Sequence, residues 1–253
     1  MLIILFPLIV FISVFLFDLQ INYFTSLILI FGIPSIYLSF KTKKVIRKVA
    51  LFSLLISIPF AFIFELVALG DNSWIVPHSI LPYRLLGLIP LEDFLWMFLV
   101  VYIILLFYEH FCDKKFTPQI SKRIRIMDRV LYISALILLV IFLIDKGLLN
   151  IPYFYLYAGI VLFIIPITLF IFRYPHFIAP FFKVSAFFFY IHLLFELVGL
   201  KLNHWNFPGE HYLWMISIFG LRFPIEEFLF VIVLGGFAAC SYYEFFTDKE
   251  IDK

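Results

Sequence analysis

The chain has 253 residues, of which 64% are hydrophobic and only 14% are charged, and its formal net charge is +2. An ordinary soluble domain is roughly half apolar and about a quarter charged. An ordinary soluble fold is therefore excluded, because this chain carries more apolar surface than one aqueous core can bury. The net charge says little about partners, and no nucleic-acid partner is expected because cytoplasmic loops explain the basic clusters. Two cysteines are too few for a disulfide framework.

The sequence predicts eight membrane-spanning helices. A spanning helix needs about 20 mostly apolar residues, and polar breaks separate eight such stretches, of which the first and fifth are short. The first stretch lacks the basic start and the small-residue cleavage site of a signal peptide, so we expect it to remain as a span. The predicted spans cover residues 2–17, 23–40, 49–69, 90–111, 130–144, 151–172, 181–200 and 224–246.

The distribution of lysine and arginine predicts the orientation of these spans. With eight spans, fifteen of the 19 basic residues fall on one side of the membrane. Because cytoplasmic loops carry the excess of Lys and Arg, we expect a multi-pass protein of the cell membrane with both termini in the cytoplasm. The fifteen are Lys41, Lys43, Lys44, Arg47, Lys48, Lys114, Lys115, Lys122, Arg123, Arg125, Arg129, Arg173, Lys183, Lys249 and Lys253.

An internal repeat divides the chain into two similar units. Three motifs recur in the same order 131 to 135 residues further on: Phe-Glu-Leu-Val from Phe64, Pro-Leu-Glu-Asp-Phe-Leu from Pro90, and Tyr-Glu from Tyr108. Each unit holds four predicted helices, an even number, so both insert the same way up. We therefore predict an all-α fold with units 1–125 and 126–253, related by a pseudo-two-fold axis along the membrane normal.

Six acidic side chains lie near one end of the predicted spans and are the candidate catalytic residues. A helix start explains part of this set, since proline favours the first turn and acidic residues there interact with the positive end of the helix dipole. Two of the glutamates instead lie in apolar runs near the ends of helices, where no capping role is available. Charged residues in spans are usually functional, so we expect one acid-lined cavity between the units. The six are Glu65, Glu92, Asp93, Glu196, Glu226 and Glu227.

Other polar and aromatic residues are explained by structural roles. Trp74, Trp205, Tyr108 and Tyr243 fit the aromatic belt at a membrane interface. His192 lies four residues before Glu196 and is expected to be structural, although it shares the same helix face. The histidines show no metal-ligand spacing, and no dinucleotide, phosphate-loop or serine-nucleophile motif is present. We expect neither a cofactor nor a metal.

Proline, then Leu or Ile, two acidic residues and Phe at the start of a long helix resembles the motif of the membrane lycopene cyclases. Over nearly its whole length the chain resembles the fused form of that family, which joins two homologous domains. One departure is Asp93, where the second copy has Glu227. The resemblance implies conversion of lycopene to β-carotene, through γ-carotene, with no flavin and no obligatory second subunit. It also implies that the partners are the linear carotenoid and the lipid bilayer.

The residues suit such chemistry. A neutral carboxylic acid in an apolar site protonates a terminal alkene, ring closure follows, and loss of a proton completes the isomerisation. From helix polarity we expect Glu65 and Glu196 to be the acids, and Glu92 and Glu226 to stabilise the cation or accept the final proton. The reverse assignment, a hydratase that admits water, a proton-coupled transporter and a scaffolding protein all remain open at this point.

Overall fold

A computed structural model describes residues 2–113, 121 and 123–247. Over these residues the chain is mainly helical, and a short 3-10 helix, Lys146–Leu149, links the fifth and sixth helices. Five of the basic residues on which the predicted orientation rests lie outside the described residues: Lys114, Lys115, Lys122, Lys249 and Lys253. The helices are α1 (Leu2–Phe17), α2 (Tyr23–Lys41), α3 (Ile46–Asp71), α4 (Leu91–Asp113), α5 (Ile124–Ile144), α6 (Phe154–Arg173), α7 (Pro175–Lys201) and α8 (Glu227–Val233 with Gly235–Thr247).

The chain is a helical multi-pass membrane protein. Six helices, α2 to α7, are long and apolar enough to cross a bilayer, and α8 makes a seventh if its two segments, bent by 54°, form one span. Helix α1 is apolar but has only 16 residues, fewer than the roughly 20 that a span needs. The described residues thus hold six or seven such helices, where the sequence predicts eight spans.

Helices α2 and α6 share one irregularity. Each contains a π-helical turn, Ile28–Gly32 in α2 and Ile160–Ile164 in α6, followed two residues later by a proline. Proline has no N–H and its ring clashes with the carbonyl four residues earlier. In α6 that carbonyl is the one of Leu162, which accepts a hydrogen bond from the Tyr242 hydroxyl at 2.8 Å. A tertiary contact therefore gives the carbonyl four residues before the proline a hydrogen-bond partner.

Two short β-hairpins, which the sequence analysis did not identify, precede α4 and α8. The first pairs β1 (Arg84–Leu85) with β2 (Ile89–Pro90), and the second pairs β3 (Met215–Ile218) with β4 (Leu221–Pro224). Both reverse through two residues with positive φ, of which the second is a glycine, Gly87 and Gly220. Each motif proline is thus the last residue of a strand.

Helices that are distant in the sequence pack against each other. Helix α1 packs on α7 and α5 packs on α3, while α3 with α4 and α7 with α8 are adjacent in the bundle. Helices α4 and α8 contact each other at its centre. Helix α5 is peripheral, since only three of its residues, Ile124, Met127 and Ala135, are buried. The 125/126 boundary of the predicted units falls in the first turn of α5.

Candidate active site

A large cavity lies among the helices, toward the end of the bundle that carries the hairpins. Its walls come from α2, α3, α4, α6, α7 and α8, and from the loops that follow α3 and α7. The empty space in and around it is about 1410 Å³, with the open space at its mouth included. The recess is thus bounded by segments from both halves of the chain.

Four of the six predicted site residues line this cavity. They are Glu65 of α3, Asp93 of α4, Glu196 of α7 and Glu227 of α8. Most of the other lining residues are apolar or aromatic, among them Phe60, Phe64, Trp96, Phe163, Phe195 and Phe207. The structure thus brings together carboxyl groups that are far apart in the sequence, inside an otherwise apolar space.

Glu65 and Glu196 are each held by a tryptophan. The Trp74 indole N–H donates to Glu65 Oε1 at 2.9 Å, and the Trp205 indole N–H donates to Glu196 Oε1 at 3.0 Å. From the sequence, both tryptophans are predicted to belong to the aromatic belt at the membrane interface. The structure places them in the cavity wall, where each donates one hydrogen bond to a carboxyl group.

Asp93 interacts with a residue that the sequence analysis missed, Tyr23 at the start of α2. The Tyr23 hydroxyl interacts with the Asp93 carboxyl, and Asp93 also interacts electrostatically with Glu65. Asp93 Oδ2 is buried with no hydrogen-bond partner among the described residues. One signal was present in the sequence: Tyr155 lies 132 residues after Tyr23, the same separation as the two π-helical turns.

Glu92 and Glu226 do not line the cavity, although both were predicted site residues. The Glu92 carboxyl accepts the backbone N–H groups of Ile80 and Leu81 at 2.9 and 3.1 Å, and both of its oxygens lie 2.7 Å from the Ser79 hydroxyl. Glu226 Oε1 accepts the Leu213 N–H at 2.7 Å. Both glutamates therefore bind the loop that precedes their own hairpin.

Aromatic contacts join the parts of the wall that come from distant segments. The Tyr23 and Trp205 ring centroids lie 5.4 Å apart at a steep angle, and those of Trp74 and Tyr155 lie 5.7 Å apart. Each tryptophan that binds a glutamate thus packs against a tyrosine from the other half of the chain. The carboxyl groups are held in a wall built by both halves.

Two histidines lie near the site, and each has one ring nitrogen close to a backbone carbonyl oxygen. His192 lines the cavity beside Glu196, and its Nδ1 lies 3.1 Å from the Val231 carbonyl oxygen. His204 Nε2 lies 2.9 Å from the Ile21 carbonyl oxygen, and burial lowers the His204 pKa. Among the described residues no group of His, Cys, Asp or Glu is arranged to hold a metal ion.

No protein-family model, no curated protein and no solved structure matches this chain.

A second polar cluster lies at the other end of the bundle. Lys48 Nζ is 3.6 Å from Glu109 Oε1 and 4.6 Å from the centre of the Tyr243 ring, and the Tyr243 hydroxyl donates to Glu109. Tyr108 is hydrogen-bonded to Glu244. The prediction that Tyr108 and Tyr243 are interfacial anchors is wrong, because both are fully buried between α4 and α8.

Proposed function

We propose that this protein is a membrane lycopene cyclase, which converts lycopene to β-carotene through γ-carotene by proton-initiated cyclisation. The observation that carries the proposal is the apolar cavity between membrane helices that holds Glu65, Asp93, Glu196 and Glu227. Acid groups in an apolar space suit a hydrocarbon substrate that reacts by gaining and losing a proton. The overall isomerisation transfers no electrons, so it needs no redox cofactor.

The duplicated features of the fold support the proposed two-unit architecture. Both halves have a π-helical turn followed by proline, a Trp–Glu hydrogen bond, a hairpin and a helix that begins after its proline. The Tyr–Glu pairs also cross between the halves. We therefore retain eight spans, with α1 as a short one, two tandem units about a pseudo-two-fold axis, and both termini in the cytoplasm as parts of the proposal.

The proposed reaction begins with proton transfer from a carboxylic acid to a terminal alkene of the polyene. The resulting tertiary cation is attacked by the neighbouring double bond, which closes a six-membered ring and moves the positive charge into the ring. A carboxylate then removes a ring proton and a double bond forms, so the proton count is restored. Two neighbouring carboxyl groups share one proton at lower cost than they carry two charges. The pair Glu65 and Asp93 is suited to alternate as acid and base.

The second half offers Glu196 and Glu227, which line the same cavity at the matching positions of the repeat. Because Glu92 and Glu226 lie outside the cavity, we assign the proton transfers to the second acid of each motif, Asp93 and Glu227, together with Glu65 and Glu196. The aromatic wall stabilises cationic charge through the faces of its rings. This assignment replaces the one that helix polarity favours in the sequence.

Pigment analysis in a lycopene-producing host tests the proposal. The wild-type protein is expected to convert red lycopene to orange products that carry rings. The paired variants Glu65→Gln/Glu196→Gln and Asp93→Asn/Glu227→Gln are expected to lower the rate about 10²- to 10⁴-fold, the usual contribution of general acid–base catalysis. Asp18→Asn, which changes an exposed acid outside the cavity, is the control and is expected to retain full activity.

Other outcomes would identify another function. A hydroxylated carotenoid as the main product of the wild-type protein would indicate a hydratase. Unchanged lycopene, with a well-expressed and folded protein, would contradict cyclisation and favour a transporter or a scaffolding protein. Full activity in both paired variants would remove these four carboxyl groups from the mechanism.

A further inference from the structure

The two loops that follow α3 and α7, residues 72–83 and 202–214, meet above the cavity. They pair as an isolated β-bridge in which Ile75 and Asn206 exchange both backbone hydrogen bonds, each at 3.0 Å. The Tyr212 hydroxyl of one loop also donates to the Ser73 carbonyl oxygen of the other. We call these paired loops the lid.

The inner side of the lid forms part of the cavity wall. Trp74 and Val76 from the first loop and Trp205 and Phe207 from the second all line the cavity. Gly209 packs so closely on the first loop that a Cβ there would lie 3.1 Å from the Asn72 carbonyl oxygen. The two loops are therefore in direct contact and present an apolar surface to the space beneath them.

Each loop is anchored by the first acid of a motif. The Glu92 carboxyl gathers the Ser79 hydroxyl and the N–H groups of Ile80 and Leu81, and Glu226 accepts the Leu213 N–H. Both glutamates are almost completely buried. They lie at the base of the lid, and the residue that follows each of them faces the cavity.

We propose that the lid is a water barrier and that Glu92 and Glu226 are its positioning residues. This inference rests on the proposed function, because a cyclase must protect a tertiary cation from water. If water enters, its oxygen bonds to the cationic carbon and a proton leaves to a carboxylate, which gives an alcohol in place of a ring. The two acids of each motif thus have separate tasks: the first fixes the lid and the second transfers protons.

The first test separates a positioning carboxyl from a catalytic one. In Glu92→Gln and Glu226→Gln the side-chain oxygen still accepts the loop N–H groups, so most cyclisation is expected to remain. In Glu92→Ala and Glu226→Ala the acceptor is lost, and a hydroxylated carotenoid is expected to form at the expense of the cyclic product. Loss of activity in the Gln variants as complete as in the Ala variants would overturn the inference.

The second test does not depend on any enzymatic activity. Ala61 lines the cavity and is buried, so Ala61→Cys in a Cys112→Ser/Cys240→Ala background reports whether a water-soluble maleimide reaches the cavity in membranes. Glu92→Ala and Glu226→Ala are expected to raise the labelling rate about tenfold, the order expected when hydrogen bonds to a charged group are lost. The milder substitution Tyr212→Phe removes one hydrogen bond between the loops, and it is expected to raise the labelling rate less.

Glu210→Ala is the matched control, since Glu210 is an exposed acid in the same loop as Leu213, and its labelling rate is expected to equal that of the parent. Unchanged labelling in Tyr212→Phe and in both anchor variants would overturn the lid, even if the protein cyclises lycopene. Conversely, faster labelling in a protein that leaves lycopene unchanged would support the lid and contradict only the proposed function.

Discussion

At the scale of single residues, adjacent acids in the two motifs have different surroundings. Successive residues of a helix point about 100° apart, because one turn takes about 3.6 residues. Glu92 and Asp93 therefore cannot face the same space, and the structure directs Glu92 to the loop and Asp93 to the cavity. The same division holds for Glu226 and Glu227.

The tryptophan–glutamate bonds give a prediction at this scale. Trp74→Phe and Trp205→Phe keep an aromatic ring but remove the N–H that binds Glu65 or Glu196. A net hydrogen bond of about 0.5–1.5 kcal/mol corresponds to a rate lower by roughly two- to tenfold. Single-turnover conversion of lycopene in membranes measures this effect.

Trp96→Phe is the matched control, because Trp96 lines the same cavity and no hydrogen bond of its indole to a carboxyl is found among the described residues. A loss of rate in Trp96→Phe equal to that in the other two variants would show that ring size matters, and not the hydrogen bond to the glutamate.

At the scale of elements, the π-helical turns of α2 and α6 lie where their helices meet others. At Gly159 of α6, an added Cβ would lie 2.0 Å from ring carbons of Phe230 in α8. At Gly32 of α2, the nearest atom to an added Cβ would be 3.4 Å away, in ordinary contact. Gly32 is the last residue of the turn in α2 and Gly159 directly precedes the turn in α6, and the space around the two glycines differs.

Gly159→Ala is therefore expected to destabilise the protein and Gly32→Ala to change it little. Overpacking of a filled contact typically costs about 1–3 kcal/mol, since Phe230 or the backbone of α6 must move. The difference is measured as the midpoint of thermal unfolding in detergent. The folded fraction at each temperature is the amount of protein that still elutes at its folded position from a sizing column. Equal midpoints for the two variants would contradict the close packing of α6 on α8.

At the scale of the whole molecule, contacts at both ends of the bundle join the halves. At one end the lid pairs Ile75 with Asn206, and at the other end Tyr243 of α8 donates to Glu109 of α4. Lys48 of α3 completes this second contact, and its side chain and that of Glu109 are almost fully buried. The cavity lies toward the lid end, so the second cluster is separate from the proposed chemistry.

Lys48→Met tests how much this buried cluster contributes to the free energy of unfolding. Removal of one partner of a buried ion pair typically costs about 3–5 kcal/mol, because the other charge stays buried without compensation. The double variant Lys48→Met/Glu109→Gln is expected to recover much of that loss. Urea or thermal unfolding in detergent measures both, with Lys44→Met as the exposed control. A Lys48→Met protein as stable as the control would show that Glu109 does not need its partner.

Much of the candidate site could be predicted from the sequence. Hydropathy is a local property, so the chain by itself determined the membrane class and most helix positions, and the recurring motifs selected Glu65, Asp93, Glu196 and Glu227. The two hairpins were not predicted because their strands are short. Their turns, Leu86-Gly87 and Phe219-Gly220, do not separate two runs in which apolar and polar residues alternate.

Only the tertiary structure decided which acids share a cavity and which bind loops. The direction of a side chain depends on helix rotation and on contacts with segments far away in the sequence, such as the Leu213 N–H that Glu226 binds. The same is true of Tyr23, whose interaction with Asp93 joins α2 to α4. Local patterns determine what spans the membrane, whereas the non-local packing of helices and loops determines which carboxyl groups face an apolar cavity.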